Sequence, residues 1–171
     1  MTFARHPSLS PQNPNTDPKM TATAQAPTIR NAATKATNPR KLFVNIPVTD
    51  LQRSIEFFEA LGFSFNTQFT DATATCMLVG EDAYFMLLDR EKFDSFAKRP
   101  AGNPKTETSS LFAISLTSRE EVDAIVNKAI AAGGSKAGDS FDHGFMYGWS
   151  FYDLDGYHWE VFHMDPAAVN G

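Results

Sequence analysis

The chain reads as an α+β protein made of two tandem βαβββ modules. Three observations predict this. The order strand, helix, three strands occurs twice along residues 41–163. Both helices run into small-residue stop signals, Ala60-Leu61-Gly62 and Ala132-Gly133-Gly134. The last two strand-like runs are aromatic and flank Asp155-Gly156, a dipeptide suited to the positive φ of a tight hairpin turn.

In chain order, residues 1–40 carry six of the ten prolines, much Thr, Asn and Ala, and no sustained apolar period. That composition predicts a disordered N-terminal extension, and Met20 is an alternative start to Met1. Order is expected from Lys41. Leu42-Phe43-Val44-Asn45-Ile46-Pro47-Val48 reads as a strand that Pro47 confines to an edge or irregular position. Thr49 with Gln52 suggests a capping box for a helix carrying Leu51, Ile55, Phe58 and Leu61 on one side and ending at Gly62. Strands are expected near 63–68, 73–79 and 84–88, then a short helix over 90–98. Residues 100–108, with Gly102 and Pro104, form a linker between module one (41–99) and module two (109–163). Module two opens with Leu111-Phe112-Ala113-Ile114-Ser115-Leu116. Ser118 and Glu121 supply its capping box, and Val122, Ile125, Ala129 and Ala132 its helix stripe. Strands near 136–141, 145–152 and 157–162 complete a single domain over 41–166, and 167–171 is a tail.

Composition narrows the function. A 171-residue chain that is 42% hydrophobic, with fifteen Phe, can bury one sizeable core. No apolar run approaches a membrane span, and the start lacks an apolar signal core. A single cysteine, Cys76, excludes an internal disulfide, so a cytoplasmic protein with a buried packing thiol is expected. Of 20 acids and 15 bases, one acid and five bases fall in residues 1–40. That leaves 19 and 10 in residues 41–171, a net charge of −9. So acidic a body disfavours nucleic acid or an anionic membrane as partner.

Glu160 is the residue that asks for an explanation. Alternation places His158, Glu160 and Phe162 on one face of the last strand and Tyr157, Trp159 and Val161 on the other. A carboxylate amid so much aromatic surface is costly to bury unless something pairs with it. Its context, Asp153-Leu154-Asp155-Gly156-Tyr157-His158-Trp159-Glu160-Val161, resembles the closing signature of the vicinal oxygen chelate superfamily, which includes glyoxalase I, bleomycin-binding proteins and extradiol dioxygenases. Val48-Thr49-Asp50-Leu51 through Phe57-Phe58, followed by Leu61-Gly62-Phe63, resembles its opening motif. Together with Asp142-His143-Gly144-Phe145-Met146-Tyr147-Gly148 and Met164-Asp165-Pro166, the pattern is similar to a subgroup described as predicted lactoylglutathione lyases.

The resemblance implies that the two modules form a concave, partly closed mixed sheet around the site. It also implies metal ligands at the first and last strand of each module. Those positions fall on Phe43, Met86, Leu111 and Glu160. Phe and Leu cannot ligate a hard divalent ion and Met prefers soft ones, so no family-type metal centre and no other cofactor is expected. The alternative is a displaced divalent site (Zn, Ni, Mn or Fe) on Glu160, His158 and His143. Without a metal, Glu160 remains the candidate general base or ligand anchor, with His143 as a second catalytic candidate.

Strand alternation then gives the expected lining: Phe43, Asn45, Tyr84, Met86, Leu111, Ala113, His158 and Phe162, with Tyr147 and Trp149 from the adjacent strand. That is an apolar, aromatic pocket with a few polar groups, the usual makeup of a small-molecule site. The expected function is binding of a small apolar or aromatic molecule, as bleomycin-binding relatives do. A lyase, isomerase or dioxygenase using Glu160, lactoylglutathione lyase-like, is the second class left open. A homodimer is expected, since sheets that curl without closing leave edges and apolar surface and relatives commonly dimerise.

Overall fold

The computed structural model describes Asn38 and residues 40–169, the latter within one compact unit. The expected extension over residues 1–40 therefore lies almost wholly outside the described residues. Module one comprises β1 (Leu42–Val48), α1 (Leu51–Leu61), β2 (Ser64–Asn66), β3 (Ala74–Leu78), β4 (Ala83–Asp89) and α2 (Arg90–Phe96). Module two comprises β5 (Leu111–Ser115), α3 (Arg119–Ala131), β6 (Ser135–Lys136), β7 (Phe141–Asp142), β8 (Met146–Tyr152) and β9 (His158–Met164). A short turn of helix, α4 (Pro166–Val169), follows.

Each module builds a mixed sheet with its first and last strands parallel: sheet one in the order β1-β4-β3-β2, sheet two in the order β5-β9-β8-β6 with β7 also on β8. The strand expected over 136–141 is two short pieces. Both pair with β8, and residues 138–140 lie between them unpaired, with the Trp149 indole donating to the Gly138 carbonyl at 2.8 Å.

Helix termini follow from local chemistry, with one correction. Asp50, not Thr49, caps α1: its carboxylate accepts from Arg53 N at 3.0 Å. Thr49 is drawn instead to Asp155 in module two. Gly62 ends α1 in the left-handed region, φ 104°, where a Cβ would be strained. Ser118 caps α3 as expected, accepting from Glu121 N at 3.2 Å. The Glu121 carboxylate reaches one residue further back, to Thr117 N at 2.8 Å.

One core serves both modules. Ile46 and Val48 of β1, Phe85 and Leu87 of β4, and Trp159 and Val161 of β9 meet Phe57, Phe58 and Leu61 of α1 and Val122, Val126 and Ala129 of α3. Trp159, with no exposed surface, lies 5.1 Å from the Phe58 ring, 4.7 Å from Phe85 and 5.1 Å from Phe112. Cys76 is buried as expected, and burial pushes its thiol pKa up.

Candidate functional site

Alternation decides which side chains leave this core. Trp159 and Val161 point inward, so His158, Glu160 and Phe162 occupy the open face of sheet two. Leu111, Ala113 and Ser115 stand beside them on β5, paired with His158, Glu160 and Phe162 in turn. On β8 the residue opposite Glu160 is Ser150, and the one opposite His158 is Tyr152, their rings 5.0 Å apart. Phe141 covers Gly148 on this face: a Cβ at Gly148 would stand 2.4 Å from the Phe141 ring. The Glu160 carboxylate has no hydrogen-bonding or ionic partner among the described residues.

Tyr147 and Trp149 are corrected. Both lie on the core side of β8, Trp149 opposite Val161. Tyr147 donates its hydroxyl to Asp123 of α3 at 2.7 Å and carries the Arg119 guanidinium 5.2 Å from its ring centre. A two-residue turn at Asp155-Gly156 would have set Phe151 across from Glu160. Instead five residues, 153–157, separate the last partners Tyr152 and His158. That one-residue change in register turns every β8 side chain to the other face. Ser150 and Tyr152 are accordingly the open-face residues that sequence reasoning missed, and only the turn length could have revealed them.

Sheet one has an open face of different character. Phe43 and Tyr84, partners across β1 and β4, stack with ring centres 4.7 Å apart and planes within 15°. Asn45 pairs with Met86, and Phe43 is 47% exposed. On sheet two Leu111 is 52% exposed. Helix α2 folds back against β1 and β4 beside this face.

The two open faces do not face each other across a common hollow. A hollow enclosed between them would place the helices on its opposite outer sides, but α1 packs against α3 and the inner faces of both sheets share one core. The expected single cavity around Glu160, lined by Phe43, Tyr84, Met86, Leu111, Ala113 and Phe162 together, is therefore not formed within one chain. What the chain does contain at the module junction is a hollow of about 240 Å³ bordered by Asn45 and His158.

His143 is exposed on the loop after β7, its ring 5.3 Å from Phe141. Asp142 organises that loop, receiving Arg119 at 2.6 and 3.1 Å and Gly144 N at 2.8 Å. The Arg119 guanidinium and these donors hold the Asp142 carboxyl down at about 2. Among the described residues no three His, Cys, Asp or Glu side chains are gathered closely enough to hold a metal ion. The fallback set of Glu160, His158 and His143 is thus not assembled. The family-type positions fit a metal no better: three of the four, Phe43, Met86 and Leu111, offer no hard donor.

The connection before Glu160 holds the modules together. Asp153 Oδ1 accepts from the backbone N–H groups of Asp155, Gly156 and Tyr157 at 2.9–3.0 Å, and Oδ2 from the Trp159 indole at 2.8 Å. Asp155 reaches into module one, accepting from Thr49 N at 2.9 Å, from the Thr49 hydroxyl, and from Ser54 Oγ at 3.5 Å. Tyr157 donates to the Pro47 carbonyl at 3.0 Å. Burial pushes the Asp153 carboxyl up to about 6 against the pull of its four donors, and burial also raises the Tyr157 phenol.

Comparison with known proteins agrees with this architecture. Residues 42–161 match the model of the Glyoxalase/Bleomycin resistance protein/Dioxygenase superfamily, and the chain belongs to that family. Among solved structures, a hypothetical protein from S. aureus superposes with a TM-score of 0.64 at 26% identity, covering 74% of this chain and 95% of its own. A glyoxalase/bleomycin resistance protein/dioxygenase family enzyme from Burkholderia phytofirmans PsJN gives 0.60 at 16% identity, covering 71% and 96%. The genomically encoded fosfomycin resistance protein FosX from Listeria monocytogenes gives 0.52 at 15% identity, covering 78% and 98%. At such identities the last two speak for the fold alone. No curated protein matches the sequence. Among the described residues no helix is long and apolar enough to cross a membrane.

Proposed function

We propose that the protein is a cytoplasmic homodimer that binds a small apolar or aromatic molecule without the family's metal centre. Sheet one of each copy would lie over sheet two of the other. The observation that carries this reading is the split site. The Phe43–Tyr84 stack and the Glu160 carboxylate are each left on an open face with large exposed apolar neighbours. Contiguous exposed apolar surface marks a surface that associates, and a symmetric pairing would bring the two half-linings together twice. The aromatic platform would hold the body of the ligand. Glu160, unpartnered and flanked by Leu111, Ala113 and Phe162, would accept from its hydroxyl or cationic group.

Two measurements test this. Light scattering on the purified chain is expected to give the mass of a dimer, and Phe43→Glu that of a monomer with its melting temperature little changed. Metal analysis after reconstitution with Zn, Ni, Mn and Fe is expected to show no stoichiometric ion. An ion bound one per chain and lost in Glu160→Ala would replace this reading with the lyase, isomerase or dioxygenase one. A wild-type monomer would remove the shared site.

A further inference from the structure

The hollow at the module junction touches the Glu160 face at His158, without reaching Glu160 itself, and calls for its own occupant. Val44, Phe93, Phe112 and Tyr157 supply apolar walls drawn from both modules, and residues 101–110 of the linker close one side. The linker is held down there. Gly156, at φ 95°, leaves room for it: a Cβ would stand 3.0 Å from the Lys105 backbone. The Thr108, Ser109 and Ser110 hydroxyls at the mouth have no partner among the described residues.

Three features define what fits. An apolar cavity of roughly 150 Å³ suffices for benzene, so about 240 Å³ takes one substituted ring. Three of the four apolar walls are aromatic, favouring an edge-to-face or offset ring between them. Glu107 is the one formally charged side chain in the lining, which disfavours anions. The fourth observation is His158. Its Nε2 is the one buried side-chain nitrogen or oxygen among the described residues without a hydrogen-bond partner. Buried polar atoms in native proteins nearly always have one.

We infer that this hollow is a binding site for a small neutral aromatic alcohol of the phenol type. The ring sits among Val44, Phe93, Phe112 and Tyr157, and a small turn of the His158 imidazole gives Nε2 the ligand hydroxyl as its partner. Side-chain turns of this kind commonly accompany binding. The inference is independent of the dimer and of Glu160.

The test is a titration of the full chain with phenol, toluene and benzoate, followed by amide chemical shifts. Phenol is expected to move the signals of residues 44–46, 108–112 and 157–158, to bind about tenfold more tightly than toluene, and to leave benzoate without measurable effect. His158→Phe should erase the preference of phenol over toluene. Ser109→Trp, on the exposed linker, should close the mouth and weaken phenol by about tenfold or more, whereas Glu160→Ala should leave phenol binding unchanged. Shifts confined to the Glu160 face, equal binding of all three probes, undiminished binding in Ser109→Trp, or no binding at millimolar phenol would each overturn the proposal.

Discussion

The two modules share an order of elements and differ in what they present outward. Phe85 of β4 and Trp159 of β9 hold equivalent places in their sheets and meet in the core, 4.7 Å apart. One residue further on, the same equivalence sets Met86 against Glu160, and one residue back it sets Tyr84 against His158. The inner face has kept its apolar chemistry in both halves because a shared core demands it. The outer faces carry no such demand and differ, one being an aromatic platform and the other a more polar surface. The turns repeat this contrast. Each sheet leaves five residues between the last partners, Leu78 and Tyr84 in one, Tyr152 and His158 in the other. In module one that turn is exposed at Gly80, Glu81 and Asp82. In module two Asp153 and Asp155 are buried and grip the other half of the molecule.

That contrast can be broken at several points. The largest effect is expected for Trp159→Ala, which empties the centre of the shared core and removes the indole donor to Asp153. Denaturant unfolding should show a loss of about 3–5 kcal/mol. The pH dependence comes next. The folded-state pKa of Asp153, about 6, lies above its ordinary value of 3.8. Its contribution is therefore fully present below pH 4 and is lost as pH rises through 6, a fall on the order of 3 kcal/mol. Melting curves between pH 4 and 7 should show this slope in the wild type and lose it in Asp153→Asn. Asp142 has the opposite sign. Its pKa is held down at about 2, so its contribution is lost as pH falls from 4 to 2, and Arg119→Gln should flatten that limb.

A smaller effect is expected for Asp155→Ala, which strands Thr49 N and the Thr49 hydroxyl at the seam between modules, while Ser54 keeps its bond to the Asp50 carbonyl. The expected loss is about 1–3 kcal/mol. The matching change in module one, Glu81→Ala, should be nearly silent, because that residue is exposed and its carboxylate has no partner among the described residues. Equal losses at the two positions would show that the turns are alike after all. The smallest effect belongs to Tyr147→Phe, which removes one half-buried hydrogen bond to Asp123 at 2.7 Å and should cost about 1 kcal/mol.

Much of the fold was readable beforehand because it rests on local rules. Helical spacing at Leu51, Phe58 and Leu61 and the stop at Gly62 name α1, and Ser118 names the start of α3. Parity along β9 correctly separated Glu160 from Trp159. Reading across strands failed at Tyr147 and Trp149, since cross-strand register depends on turn length and Asp153 builds a longer turn than Asp-Gly suggests. The capping role of Asp50 was hidden for a similar reason: Thr49 was already engaged by a residue 106 positions away.

The sequence by itself determined the two modules, their inner and outer faces, the absence of hard donors at three of the four family positions, and Glu160 as the unexplained carboxylate. Each of these is set by periodicity or side-chain chemistry within a few residues. Only the tertiary structure decided that the open faces do not face each other in one chain, that a hollow bordered by His158 forms where the linker crosses the junction, and that His158 Nε2 has no hydrogen-bond partner among the described residues. Those depend on which way two packed sheets turn about a common core, and no local pattern encodes that turn.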